Sequence, residues 1–452
     1  MISAADLWNA GLLIALYLGM VLLVESWTRR VRPDPELSRK AVHFLGGLGT
    51  LFLPWLIHSV WLVLSMALLF AAALYAGQRS GRLQCLAAVR RRGAGSAYFP
   101  LAVFLLYLIC REERWLYVAS ILVITVSDAA AALVGGSYGR HSFRVGHEHR
   151  KSLEGSVLFL LLTFLAIHLP LLLLTELPRE TCVLAALLIS LLLTGVEAIS
   201  TRGTDNLYIP LFTCYSLLKI TTKPPGEIAF QLLSLLAMMA VLEIFFRSLK
   251  LFSIRDSIVF VIFIYGVWSL GSIQWSVPIF ACFALYCGVR MRVPNRRNYQ
   301  VETTPLLRVI LIPLLILLLA NASGRYHELF GPFLAATVTA FVCVTWAYVL
   351  FNRQGVWNSR PWQALAAGAG AALLAVGATM LPQHQPPLAA LALIPLLAGV
   401  ALAAYNLRLR GRVQELPVQG GGSPVLWLAL GAAIVYWGLQ RLAPLPVWQP
   451  LS

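Results

Sequence analysis

Long, mostly apolar runs follow one another from the first residues of this sequence to the last. A bilayer admits only structures that satisfy every backbone N–H and C=O internally, and runs of helix-spanning length therefore specify helices. We read about 16 spans, near residues 7–26, 42–57, 60–76, 98–110, 115–136, 156–174, 182–199, 207–221, 228–246, 257–273, 275–289, 305–321, 331–351, 362–381, 387–406 and 424–441. Of the 452 residues 59% are hydrophobic and only 12% charged, which excludes an ordinary soluble enzyme. The expected fold class is all-α, a polytopic integral membrane protein. The first run does not read as a cleaved signal, because no basic residue precedes it and Arg29, Arg30 and Arg32 follow it.

The net charge of +16 could suggest a nucleic-acid partner, but its distribution argues against one. With the 27–41 loop placed in the cytoplasm, most of the 35 lysines and arginines fall in loops on that same side. This is the positive-inside pattern, so the basic surplus reports topology and contact with the bilayer. Both termini are then expected to face away from the cytoplasm.

The polar stretch that organises the chain is Ser127–Ser156. An apolar run, Leu116 to Val126, leads into Asp128, and an acid inside an apolar helix is a functional-site candidate. The alanines and glycines after it let a neighbouring backbone or a ligand approach closely. Arg140, Arg144, Arg150 and Lys151 can hold phosphate oxygens, and Glu154 with Asp128 could hold a divalent cation. The simpler alternative pairs Asp128 with Arg140. His147 and His149 flank Glu148 in a pattern too close for a zinc site.

Three further stretches carry polar chemistry. Glu36–His43 opens a helix after two prolines and sets Arg39 and His43 on one face; Arg39 and Lys40 could equally be topology charges, and His43 could simply bond a carbonyl. Arg92–Pro100 is a bendable basic loop running into a helix. Glu197–Pro210 forms a second acidic corner through Asp205 and Asn206, with a Glu197–Arg202 pair as the plain reading of Glu197. The seven cysteines contain no CxxC and read as small hydrophobes. No P-loop, GxGxxG, HExxH or GxSxG is present. Beyond residue 250 the character changes, since only Asp256, Glu302, Glu328 and Glu415 of the 19 acidic residues lie there.

In order along the chain, Glu36–His43, then Asp128 through Gly139 and Arg140 to Lys151–Ser156, then Glu197–Pro210 resemble the dolichol kinase and phytol kinase family of CTP-dependent polyprenol kinases. Arg92–Pro100 is a weaker fourth piece. A more distant similarity is to CTP-using phosphatidate cytidylyltransferases. The resemblance makes 1–246 a polyprenol-kinase-like membrane domain and leaves 247–452 as an additional multi-span membrane domain of unknown role. It implies transfer of the γ-phosphoryl group of CTP, with Mg²⁺, to an isoprenoid alcohol at a cytoplasmic-side active site. The roles expected are Asp128, Glu154 and Asp205 as metal contacts, and Lys151 and His43 beside them in catalysis, His43 as proton acceptor. Arg39, Lys40, Gly135, Gly139, Arg140, Ser152, Gly155 and Asn206 are expected to hold the nucleotide. Two rival activities stay open: formation of a CDP-lipid, and transport of a lipid-linked anion.

Overall fold

The computed structural model of the protein describes residues 3–80, 83–87, 95–145, 149–200, 203–249, 254–292, 303–352, 388–409 and 422–442. The expected span 362–381, the Arg90–Ala94 part of the basic loop, His147, Glu148 and Arg202 lie outside them. The chain divides into two compact units, Met1–Leu236 and Ala237–Ser452. The division falls inside a helix, somewhat ahead of the 246/247 boundary read from the sequence.

The first unit runs α1 (Ala4–Val31), α2 (Pro35–Thr50), α3 (Leu53–Leu56), α4 (Val60–Ser80), α5 (Gln84–Ala87), α6 (Gly95–Ile109) and α7 (Arg114–Leu122). A π-helical turn, Val123–Ser127, then joins α7 to α8 (Asp128–Tyr138) without a break. A short hairpin follows, β1 (Ser142–Val145) against β2 (His149–Ser152), antiparallel, with Phe143 opposite Lys151. The unit continues with α9 (Leu153–Leu174), α10 (Arg179–Ile199), α11 (Asp205–Ile220) and the first part of α12 (Pro225–Leu249). The hairpin is the one departure from an all-α fold among the described residues.

Eight helices among the described residues are long and apolar enough to cross a membrane. They include α1, the continuous α7–α8 rod, α9, α10 and α12. The two spans expected at 257–273 and 275–289 are two helical segments that meet at a kink at Ser272.

Burial in the first unit follows from sequence. Leu116, Tyr117, Ile121, Val123 and Ile124 of the α7 rod are sealed, as are Ala185, Ala186, Leu188, Ile189 and Leu193 of α10. On α1 and α4 the large apolar side chains point outward instead, Leu22, Leu23, Trp61 and Leu68 among them. Apolar surface facing lipid costs nothing, so helix association here rests on packing rather than on the hydrophobic effect. Small residues make that packing possible. A Cβ on Gly155 of α9 would stand 2.9 Å from the Ala131 carbonyl of α8, so those two backbones nearly touch. Helical hydroxyls return their proton to their own helix, as Thr28 does to Val24 O and Thr213 to Ile209 O, both at 2.7 Å.

The second unit contains the rest of α12, then α13 (Ile254–Arg292), α14 (Thr303–Ser323), α15 (Tyr326–Asn352), α16 (Leu388–Leu409) and α17 (Gly422–Leu442). In α13 Ser272 takes a non-helical conformation, φ 75° and ψ 179°, which kinks the helix between the two spans expected from sequence. Phe333, Leu334, Ala335, Ala336 and Val338 bury α15 at the centre of the unit. Trp275 packs on Phe330 and Phe333 with ring centroids 5.2 and 4.7 Å apart.

Candidate active site

Four elements of the first unit carry the polar residues inward, and α2 shows best how sequence arranges them. Asp34 caps the helix, accepting the Glu36 N–H at 2.7 Å, and Pro35 occupies its first turn. Lys40, His43 and Gly47 then recur at intervals of three and four, so they share one face. That face lies on the π turn. A Cβ on Gly47 would fall 2.1 Å from Thr125 Oγ1, and only glycine permits the approach. His43 Nε2 donates to the Ile124 carbonyl at 3.0 Å, inside the π turn, and its ring meets Phe99 edge-on at 4.8 Å. The wider turn leaves a carbonyl for the imidazole to bond. With Nε2 donating, Nδ1 is the nitrogen left to accept a proton.

Asp128 begins α8 directly after that turn and is 5% exposed. Lys40, 3% exposed, donates to its carboxylate and, at 3.2 Å, to its main-chain carbonyl. His43 Nε2 stands 3.8 Å from the same carboxylate. The expected alternative partner, Arg140, is exposed instead. Burying a carboxylate is costly without a paired cation, so Lys40 does more than mark topology.

A second pair repeats this form. Lys151, on β2, donates to Glu197 Oε1 at 2.5 Å and also to the Glu197 main-chain carbonyl. Glu197 is 8% exposed and lies in the last turn of α10, where carbonyls lack helical partners and a cation is favoured. The lysine thus does for Glu197 what sequence reasoning assigned to Arg202. Glu197 was absent from the expected site residues; its position one turn from a helix end, in an otherwise apolar run, was the available signal.

The two pairs share one electrostatic neighbourhood. The charges of Asp128 and Asp205 both act on Arg39 and both act on Glu197. Asp205 opens α11 and accepts the Asn206 N–H at 3.1 Å; Asn206 itself is buried. Arg39 forms a 2.5 Å bridge to Glu36. Burial alone would lower the proton affinity of Arg39, but the Glu36 carboxylate more than offsets it and raises the pKa, so the guanidinium stays charged. The acidic corners at Asp128 and at Glu197–Asp205 are therefore within electrostatic reach of one another.

Other expected residues do different work. The Glu154 carboxylate accepts the His141 N–H at 3.1 Å and meets its Nδ1 at 2.8 Å, fastening the base of the hairpin. Ser152 caps α9, accepting from Gly155 N at 3.2 Å and donating to Gly135 O at 3.3 Å. A Cβ on Gly135 would meet Ser152 Oγ at 2.8 Å, and one on Gly139 would meet Gly135 O at 2.3 Å. These two glycines, with Gly155, let α8, the hairpin and α9 close on one another.

A divalent cation can be tested against this donor set. Asp128, Asp205 and Glu197 offer hard oxygen donors, and the buried hydroxyls of Ser38 and Ser127, beside Lys40 and Asp128 in sequence, have no hydrogen-bond partner. No three His, Cys, Asp or Glu among the described residues stand close enough to hold an ion by themselves. Mg²⁺ typically takes one or two carboxylates and completes its shell with phosphates and water, so the residues fit an ion arriving with a nucleotide.

The chain is 33% identical over 212 residues to a phytol kinase of Synechocystis sp., spanning 46% of this chain and 90% of that protein. No protein-family model and no solved structure matches. The first unit carries two buried carboxylates paired with lysines, Asp128 with Lys40 and Glu197 with Lys151 of the hairpin, within an integral membrane protein. With that relative, the chain belongs over the matched part to the phytol kinase family, alongside the dolichol kinases.

Proposed function

We propose that this protein is a membrane-embedded kinase that moves the γ-phosphoryl group of CTP onto the hydroxyl of an isoprenoid alcohol, at the cytoplasmic side of the bilayer. The observation that carries the reading is the buried Lys40–Asp128 pair on the π turn, within electrostatic range of Glu197 and Asp205. Phosphoryl transfer needs little covalent help from a protein; it needs charge neutralised and two oxygens held in line.

In this reading Lys151, Arg39 and Lys40 contribute cations to the polyphosphate. Each already lies against a carboxylate, so their charge is held in place before substrate arrives. Asp128 and Asp205 would hold Mg²⁺, which when bound neutralises charge on the transferred group and the leaving CDP. The alcohol oxygen forms the new bond to the γ-phosphorus as the bond to the β–γ bridging oxygen breaks. The hydroxyl proton goes to a nearby base, a role this reading gives to His43 Nδ1 because Nε2 already donates to the Ile124 carbonyl. The glycine-closed junction of α8 and α9 holds the hairpin that carries Lys151 close to the helix that opens with Asp128.

The test is direct. Purified protein in lipid nanodiscs, given CTP labelled at the γ-phosphorus, Mg²⁺ and phytol or a longer prenol, is expected to yield a labelled lipid monophosphate and CDP. Substituting ATP decides the donor. A CDP-lipid with pyrophosphate as the second product would replace this reading with cytidylyl transfer.

A further inference from the structure

A sulfur pair elsewhere in the first unit has no part in the proposed chemistry. Cys110 directly follows α6, and Cys214 lies in the middle of α11. Their Sγ atoms are 3.2 Å apart, and each residue is 1% exposed. The surroundings are dry: Leu106, Tyr117, Ile209 and Leu217 are sealed. The other cysteines, 85, 182, 282, 287 and 343, are buried and form no sulfur–sulfur contact among the described residues.

We propose that Cys110 and Cys214 are a disulfide-forming pair whose bond closes the chain around the candidate site. The separation must shrink by roughly 1 Å to reach the S–S bond length, a shift within reach of side-chain rotation and small helix movement. The two cysteines are 104 residues apart, and the loop they close contains Asp128, Lys151, Glu154, Glu197 and Asp205. A loop of that length is where cross-linking restricts the unfolded chain most. The bond would also tie the helix that begins with Asp205 to α6.

The chemistry is thiol–disulfide exchange with a small-molecule disulfide or the disulfide form of a protein oxidant. One thiolate attacks the oxidant's disulfide, forming a mixed disulfide and releasing one oxidant thiol. The second thiolate then displaces the other oxidant sulfur. Two protein thiols are oxidised, one disulfide is reduced to two thiols, and the two protons pass to those thiols. Exchange belongs to the folding chain, before α6 and α11 pack and seal both sulfurs.

The experiment counts thiols. Full-length protein isolated without reductant, then denatured in SDS with a maleimide polymer, is expected to take five labels; after reduction it should take seven. Cys110→Ser is expected to take six without reductant, because Cys214 is released. Refolding of reduced protein with oxidised glutathione should restore five. Seven labels in the unreduced wild type, both as isolated and after that refolding, would overturn the proposal. So would four in Cys110→Ser, since a different pair would then hold the bond. Cys182→Ser serves as the folding control and should take four, losing one free thiol and keeping the cross-link.

Discussion

The two units solve the same solvent problem with different materials. In the first, charged groups are drawn inside and paired over long stretches of chain: Lys40 with Asp128, Lys151 with Glu197, and Glu25 with the Cys85 N–H at 2.9 Å. In the second, the interior is aromatic and aliphatic, and the described ion pair linking distant helices, Glu328 with Arg441, is largely exposed. Buried ion pairs cost more to assemble than apolar packing of the same volume. The first unit keeps such pairs inside; among the described residues of the second, the buried cation Arg290 lies over the rings of Tyr286 and Tyr348.

The sharpest test of that contrast is Asp128→Asn. It preserves shape and removes the charge that Lys40 holds, and turnover of prenol with CTP is expected to fall by about a hundred- to a thousand-fold, or about 3–4 kcal/mol of barrier. Turnover within a few-fold of wild type, at equal membrane levels, would reduce Asp128 to a structural ion-pair partner. Removing a cation acts on folding as well. Lys151→Met strands the buried Glu197 carboxylate and should destabilise the first unit by about 3–5 kcal/mol, read as a fall in thermal midpoint in detergent; Glu197→Gln in the same chain should recover much of it. No recovery would mean that the pair is not coupled.

Smaller effects probe packing. Gly155→Ala sets a methyl 2.9 Å from Ala131 O and 3.1 Å from Gly135 Cα, so α8 and α9 must part, at about 1–3 kcal/mol. Unchanged stability would show that the helices are not in that contact. In the second unit Ser272 sits at φ 75°, where a side chain is strained, and Ser272→Gly should raise stability by about 1 kcal/mol. Glu328→Gln should change it by under about 1 kcal/mol, because the pair is exposed and screened. An effect as large as that of Lys151→Met would erase the distinction between the units.

What could be read from the sequence follows from distance along the chain. Helix positions were legible because apolar runs are local, and α9 and α10 fall where the runs at 156–174 and 182–199 place them. The break between the runs at 257–273 and 275–289 was legible too, and Ser272, outside helical geometry, sits close to it. The anomaly of Asp128, a charge in an apolar run, was legible, and the structure buries it. Partners were not. The plain alternative for Asp128 was Arg140, twelve residues on, while its cation in the structure comes from Lys40, 88 residues back. The glycines were visible, but whether a ligand or a helix filled the space beside them depends on the fold, and beside Gly135, Gly139 and Gly155 the space is taken by protein.

The π turn at Val123–Ser127 has a consequence for how this segment tolerates change. Such a turn holds one residue more than the α-helix would, and each residue of an α-helix advances by about 100° around the axis. Everything before the turn is therefore out of phase with everything after it. The half carrying Leu116, Tyr117 and Ile121 and the half carrying Asp128 and Ala131 each keep their own inward face. Deleting any single residue between 123 and 127 would leave a longer, more regular helix, yet would swing Asp128 by about a quarter of a circle away from Lys40. Substitutions there are a matter of size and polarity, whereas a change in length is a change of angle. In this segment the number of residues is under tighter constraint than most of their identities.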